Sequence, residues 1–163
     1  MRAAASYVRV AELPVASWQP TRDTMMLWLQ VVGKVRIARA PLLNHWWSST
    51  LYVTSRGLTT SLVPDGAGRS FSIDFDFLDH RLDVTTTLGH SRSLELRPMA
   101  VKDFCAELTA LLEELDLATE TWPVPVELPD AIPFPEDAVH VLRRPVGNRV
   151  LAHSGGGRAG LRR

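Results

Sequence analysis

The stretch Ser70 to Leu82, SFSIDFDFLDHRL, leaves the chain little freedom. Phe71, Ile73, Phe75 and Phe77 alternate with Ser72, Asp74 and Asp76, and only an extended strand turns a period of two into one face of rings and one of carboxylates. The rings are therefore expected to face a core and the acids to face away. Partners for such a strand are at hand between Ser49 and Leu96. Strands are predicted at about 50–54, 58–63, 70–78, 81–87 and 93–97, with breaks at Arg56-Gly57, Pro64-Asp65-Gly66-Ala67-Gly68, Asp79-His80 and Leu88-Gly89-His90. If Asp79-His80 is a two-residue turn, Phe77 pairs with Leu82, Phe75 with Val84 and Asp76 with Asp83. Setting Val84 opposite Leu96 would then bring Arg97 beside Asp83 and neutralise the facing carboxylates.

Helical spacing flanks this meander. Trp18-Gln19-Pro20-Thr21-Arg22-Asp23 offers a proline, a capping threonine and an early acid, and Met25, Trp28, Leu29, Val32, Val35 and Arg36 or Arg39 follow in steps of three and four. A helix over about 22–39 is predicted, with Gly33 marking a close approach by another element. A second helix at 101–115 places Phe104, Leu108, Leu111, Leu112 and Leu115 on one stripe. It should cover one face of the sheet, while the 22–39 helix closes the other side or an edge. Beyond it, prolines at 123, 125, 129, 133 and 135 permit at most a short edge strand before an extended wrap. The fold class is α+β: a mainly antiparallel five-stranded meander with two helices, in a single domain over residues 1–140.

The 163 residues are 45% hydrophobic, enough for one real core. No apolar run spans a bilayer and no secretory h-region opens the chain, so no membrane association and a cytoplasmic location are expected. One cysteine, Cys105, excludes an intrachain disulfide or a Cys-based zinc site, and its place in a helical pattern marks it as a small buried residue. The formal charge of zero conceals a division. Six arginines and no acid follow His140, which leaves residues 1–140 with 12 basic and 18 acidic groups. Residues 141–163, with Gly155-Gly156-Gly157 and no apolar period, are expected to form a flexible basic tail. No aromatic residue is interleaved with those arginines, which argues against nucleic acid as a partner.

Two clusters carry candidate chemistry. Asp74 and Asp76 on the outward face, with His80 in the turn, form a weak oxygen-rich metal candidate, or with His80 or His45 a proton-transfer site. In LNHWWSSTLYVT, His45 precedes Trp46 and Trp47; one indole is expected in the core and the other on the surface, with Arg56 near enough to bind an anionic group of an aromatic ligand. No GxxxxGK[ST], GxGxxG, HExxH or GxSxG string occurs, and Ser48, Ser49 and Ser55 near His45 do not by themselves suggest a triad. Nothing names a cofactor.

The strings NHWWSSTLYVTSRGLTTSLVP, FSIDFDFLDHRL and WPVPVELPDAIPFPED, with DTMMLWLQVVGKVRIARAP before them, resemble the DUF5996 family of bacterial proteins, whose function is unassigned. The resemblance covers about Leu13 to His140. It implies a second half after the IPF segment, in whose place the arginine and glycine tail stands, as in a truncated or frameshifted member. It further implies an apolar face without its mate, open to self-association. Two function classes stay open: a binding or scaffold lobe using Trp46, Trp47, Arg56 and His45, or an enzyme in which His45 or His80 works beside Asp74 or Asp76. A histidine about 3 Å from a carboxylate at a concave surface would favour the enzyme.

Overall fold

The alternation at 70–76 does form a strand, with Phe71, Ile73 and Phe75 buried beneath it. The computed structural model describes residues 15–42, 44–66 and 68–142; of the tail expected over 141–163, Val141 instead bridges Ala100 and Leu142 is buried, and the rest lies outside the described residues. Among the described residues, six strands form one antiparallel sheet: β1 (Tyr52–Val53), β2 (Gly57–Thr59), β3 (Val63–Pro64), β4 (Ser70–Asp76), β5 (Arg81–Thr86) and β6 (Ser91–Glu95). Their order is β1-β2-β4-β5-β6, and β3 pairs with β4. The α-helices α1 (Val15–Arg39) and α2 (Val101–Glu114) complete the α+β architecture of the described residues.

The single strand expected at 58–63 is two. Thr59 pairs with Asp74 but Val63 pairs with Phe71, so β2 and β3 span one residue more than β4 spends opposite them. That is a bulge. Thr60 fills it: its amide donates to the Ile73 carbonyl, its Oγ1 accepts the Ile73 amide, and Ser61 takes a positive φ of 58°. The side chain of Thr60 thereby replaces a ladder bond that the extra residue removes.

The β4–β5 register also differs from expectation. Phe75 pairs with Leu82 and Asp76 with Arg81, so the turn holds four residues, Phe77 to His80, instead of two. Asp76 causes this: its Oδ1 accepts the amides of Leu78 and Asp79, both at 3.0 Å, and folds the chain into a local Asx-type turn. The facing carboxylates are then Asp74 and Asp83. Asp83 receives Arg81 Nε at 2.8 Å and Ser93 Oγ at 2.5 Å, and Asp74 receives Ser72 Oγ at 2.7 Å. Ser93, and not Arg97, stands opposite Asp83, because Leu82 pairs with Leu94; Arg97 reaches Glu107 on α2 instead.

Helix α1 begins at least seven residues before the expected start, and runs through Pro20. Proline there leaves only the Ala16 carbonyl without an amide, and Ala16 is exposed to water. Asp23 is therefore inside the helix and pairs with Arg22 at 2.8 Å. The buried stripe holds Met25, Trp28, Val32, Val35 and Arg36, with Leu27 and Val31 widening it. The Trp28 ring stacks on Phe104 of α2 at 4.4 Å with 6° between planes, and Phe104 lies 6.3 Å from Phe75 of β4. One aromatic column thus joins both helices to the same face of the sheet. Thr85, Ser91, Ser93 and Glu95 on the opposite face are exposed, so among the described residues α1 does not cover that side. After α2 the proline-rich chain forms no strand until the bridge at Val141; it wraps the domain, buries Phe134 and ends with Leu142 fully enclosed.

Candidate functional site

Residues 44–49, which precede β1, form a 3-10 turn in which His45 (φ 55°, ψ 35°) and Trp46 (φ 60°, ψ 24°) both adopt left-handed backbone. Neither is glycine, and each such residue costs on the order of 1–3 kcal/mol. Ser49 Oγ donates to the Trp46 carbonyl at 2.7 Å and holds the bend. The turn packs on α1 at Gly33, where an added Cβ would lie 3.7 Å from the Ser49 carbonyl oxygen. Because the backbone coils here instead of entering a strand, the two indoles do not divide between core and surface. Trp46 is 63% exposed and Trp47 68%.

Opposite the turn runs the segment after α2. Arg39 fixes its start by donating to Thr119 Oγ1 at 3.0 Å and to the Ala118 carbonyl. Gln30 fixes its middle: the amide nitrogen donates to the Val126 carbonyl at 3.3 Å, and the amide oxygen accepts the Val126 N–H at 2.9 Å. A groove of about 780 Å³ lies between, lined by Lys34, Ile37, His45, Trp46, Trp122 and Glu127, with Gln30 and Glu120 also on its surface. Trp122 is 70% exposed. Lys34, Glu120 and Glu127 take part in no ion pair among the described residues. The groove therefore offers two flat apolar surfaces, one ammonium from α1 and two carboxylates from the opposing segment.

The other candidates lie elsewhere. Arg56 Nε donates to Asp76 Oδ2 at 2.6 Å and its NH2 nitrogen lies 2.8 Å from Asp79 Oδ2, at the turned end of β4. Burial pushes the Asp76 carboxyl up, but the bond from Arg56, the amides of Asp79 and Leu78 and the Arg56 charge outweigh it and leave the pKa lowered. The Arg56 guanidinium is held up by the same bond to Asp76. Both Asp76 oxygens are thus occupied by donors from the protein itself. His80 sits in the turn with a φ of 52°, and its carbonyl accepts the Leu96 amide. None of Arg56, Asp74, Asp76 and His80 lines the groove that holds His45. Among the described residues no group of three or more His, Cys, Asp or Glu is placed to share a metal ion. Cys105 is a half-buried free thiol whose pKa burial raises, partly offset by Thr109, so it rests protonated.

Reading the sequence missed Lys34, Gln30 and Trp122 as site residues. Lys34 and Gln30 lie off the apolar stripe of α1, where an amphipathic helix ordinarily faces water, and Trp122 stands in a proline-rich wrap with no periodicity.

Fold and groove together define a one-sided α+β domain with an aromatic cleft on the back of its first helix. The chain belongs to the family of unknown function DUF5996, whose model matches residues 10–144. No curated protein and no solved structure matches it. Among the described residues, no helix is long and apolar enough to cross a membrane.

Proposed function

We propose that the groove binds a small aromatic molecule that carries both an anionic and a cationic group. One observation carries the reading: two indoles more than three-fifths exposed line the same groove, with Lys34 on one side and Glu120 and Glu127 on the other. Exposed tryptophans are costly to leave in water and efficient at flanking a flat ligand. The left-handed backbone at His45 and Trp46 supports the same reading, since strain of this kind is retained where it aims a side chain. The alternative enzyme reading receives less support, because of its four residues, His45, His80, Asp74 and Asp76, His45 alone lines the groove, and among the described residues it makes no hydrogen bond to a carboxylate.

Calorimetric titration with L-phenylalanine, L-phenylalaninamide and N-acetyl-L-phenylalanine tests the proposal. Phenylalanine should bind about tenfold more tightly than either analogue, the equivalent of one charged hydrogen bond. Lys34→Met should bring phenylalanine down to the affinity of its amide. Equal affinities for all three, or no binding of any, would refute it. A sedimentation coefficient that rises with protein concentration and is restored by Trp122→Ala would assign the indoles to self-association instead.

A further inference from the structure

A second cleft lies where the wrapping segment meets the start of α1. Asp137 is 1% exposed, and its carboxylate is shared between two tasks. Oδ1 accepts the amides of Val139 and His140, both at 3.0 Å, which closes the local turn. Oδ2 lies 2.6 Å from His140 Nδ1. The backbone is tied down independently, for Lys102 N donates to the Asp137 carbonyl and Val101 N to the His140 carbonyl at the start of α2. The imidazole contact is therefore not needed to shape the turn. What it does is fix the ring: a buried carboxylate oxygen requires a donor, so in the neutral ring Nδ1 carries the proton and Nε2 the lone pair.

The His140 side chain is 36% exposed and lines a cleft of about 320 Å³ with Gln19, Asp23, Thr24 and Val139. The Gln19 amide makes no hydrogen bond among the described residues, and Asp23 is neutralised by Arg22. We propose that His140 Nε2 is a proton-accepting atom toward a small neutral hydroxyl-bearing ligand in this cleft, with the Gln19 amide as its second contact. This is a histidine–carboxylate pair at a concave surface, the arrangement that would favour an enzyme, and it uses none of the residues of the aromatic groove.

Two measurements on the intact chain decide it. Long-range ¹H–¹⁵N correlation reads the tautomer, and the expected result is Nδ1–H for His140. Diethyl pyrocarbonate at about pH 8, where an ordinary imidazole is neutral, reads the lone pair. Nε2 forms the bond to the carbonyl carbon and ethyl carbonate leaves; the acylated ring gives up its Nδ1 proton to solvent, and the leaving group takes one up from solvent and decays to ethanol and carbon dioxide. His140 should be modified ~3-fold or more faster than the more exposed His45 and His90, with glycerol protecting it and not them. In Asp137→Asn the amide nitrogen donates to Nδ1, so the tautomer should invert and the rate advantage vanish. If that variant does not fold, the tautomer and rate order of the unaltered chain still decide. An Nε2–H tautomer, or modification in simple order of exposure, would overturn the assignment of the proton acceptor; modification unaffected by glycerol would overturn the ligand class.

Discussion

Gln30 and Val126 bind each other twice, amide nitrogen to carbonyl at 3.3 Å and N–H to amide oxygen at 2.9 Å, and so a helix side chain takes the place of a neighbouring strand. This exchange keeps the chain that carries Trp122 at a set distance from the helix that carries Lys34. Both groups of Val126 are near solvent, so water can replace the lost partner. Gln30→Ala is accordingly expected to cost only about 0.5–1 kcal/mol of stability in a urea melt. Phenylalanine affinity should fall several-fold in the same variant, since the groove loses its fixed width.

Gly57 tests the sheet. An alanine Cβ there would lie 2.1 Å from the Phe75 carbonyl oxygen, and backbone cannot move aside as a side-chain tip can. Gly57→Ala should destabilise the fold by about 3 kcal/mol through separation of β2 from β4. Gly66→Ala is the control, because nothing lies within 4 Å of it and only its positive φ of 85° opposes the change, at about 1 kcal/mol. A loss at Gly57 no larger than that at Gly66 would show that the Phe75 carbonyl does not resist the added carbon.

Asp76 should make stability depend on acid. Its folded pKa is lowered, so the native state holds the proton less well than the unfolded chain does. The resulting stabilisation is complete above the ordinary carboxylate value near about 4 and is lost as pH falls through the lower folded value. Denaturant melts across this range should therefore show a smaller acid-induced loss in Asp76→Asn than in the unaltered chain. At neutral pH the substitution should cost about 2 kcal/mol, because it weakens bonds from Arg56 and two turn amides.

The faces of the fold were legible in the sequence and its registers were not. Alternation told which side of β4 held Phe71, Ile73 and Phe75, and the steps of three and four told which side of α2 held Phe104 and Leu108. A slip of two residues leaves every side chain on its own face, so the hydrophobic pattern is blind to it; the Asx-type turn at Asp76 chose the register. The groove was half visible. His45 and Trp46 stood out as residues, but their left-handed backbone places both indoles outside, and Trp122 joins them only through tertiary bonds from Gln30 and Arg39. Asp137 and His140, three positions apart at the end of the wrap, carried a local signal that went unread.

In the proposed function Trp46 and Trp122 belong to one binding site, and fluorine NMR of the chain labelled with 5-fluorotryptophan tests that directly. The five tryptophans give five resonances, assigned by single Trp→Phe substitutions. On addition of L-phenylalanine the Trp46 and Trp122 signals should move along one common saturation curve, while those of Trp28, enclosed in the aromatic column, and of Trp47, outside the groove, stay in place. Movement of Trp47 alone, or two different curves for Trp46 and Trp122, would contradict it.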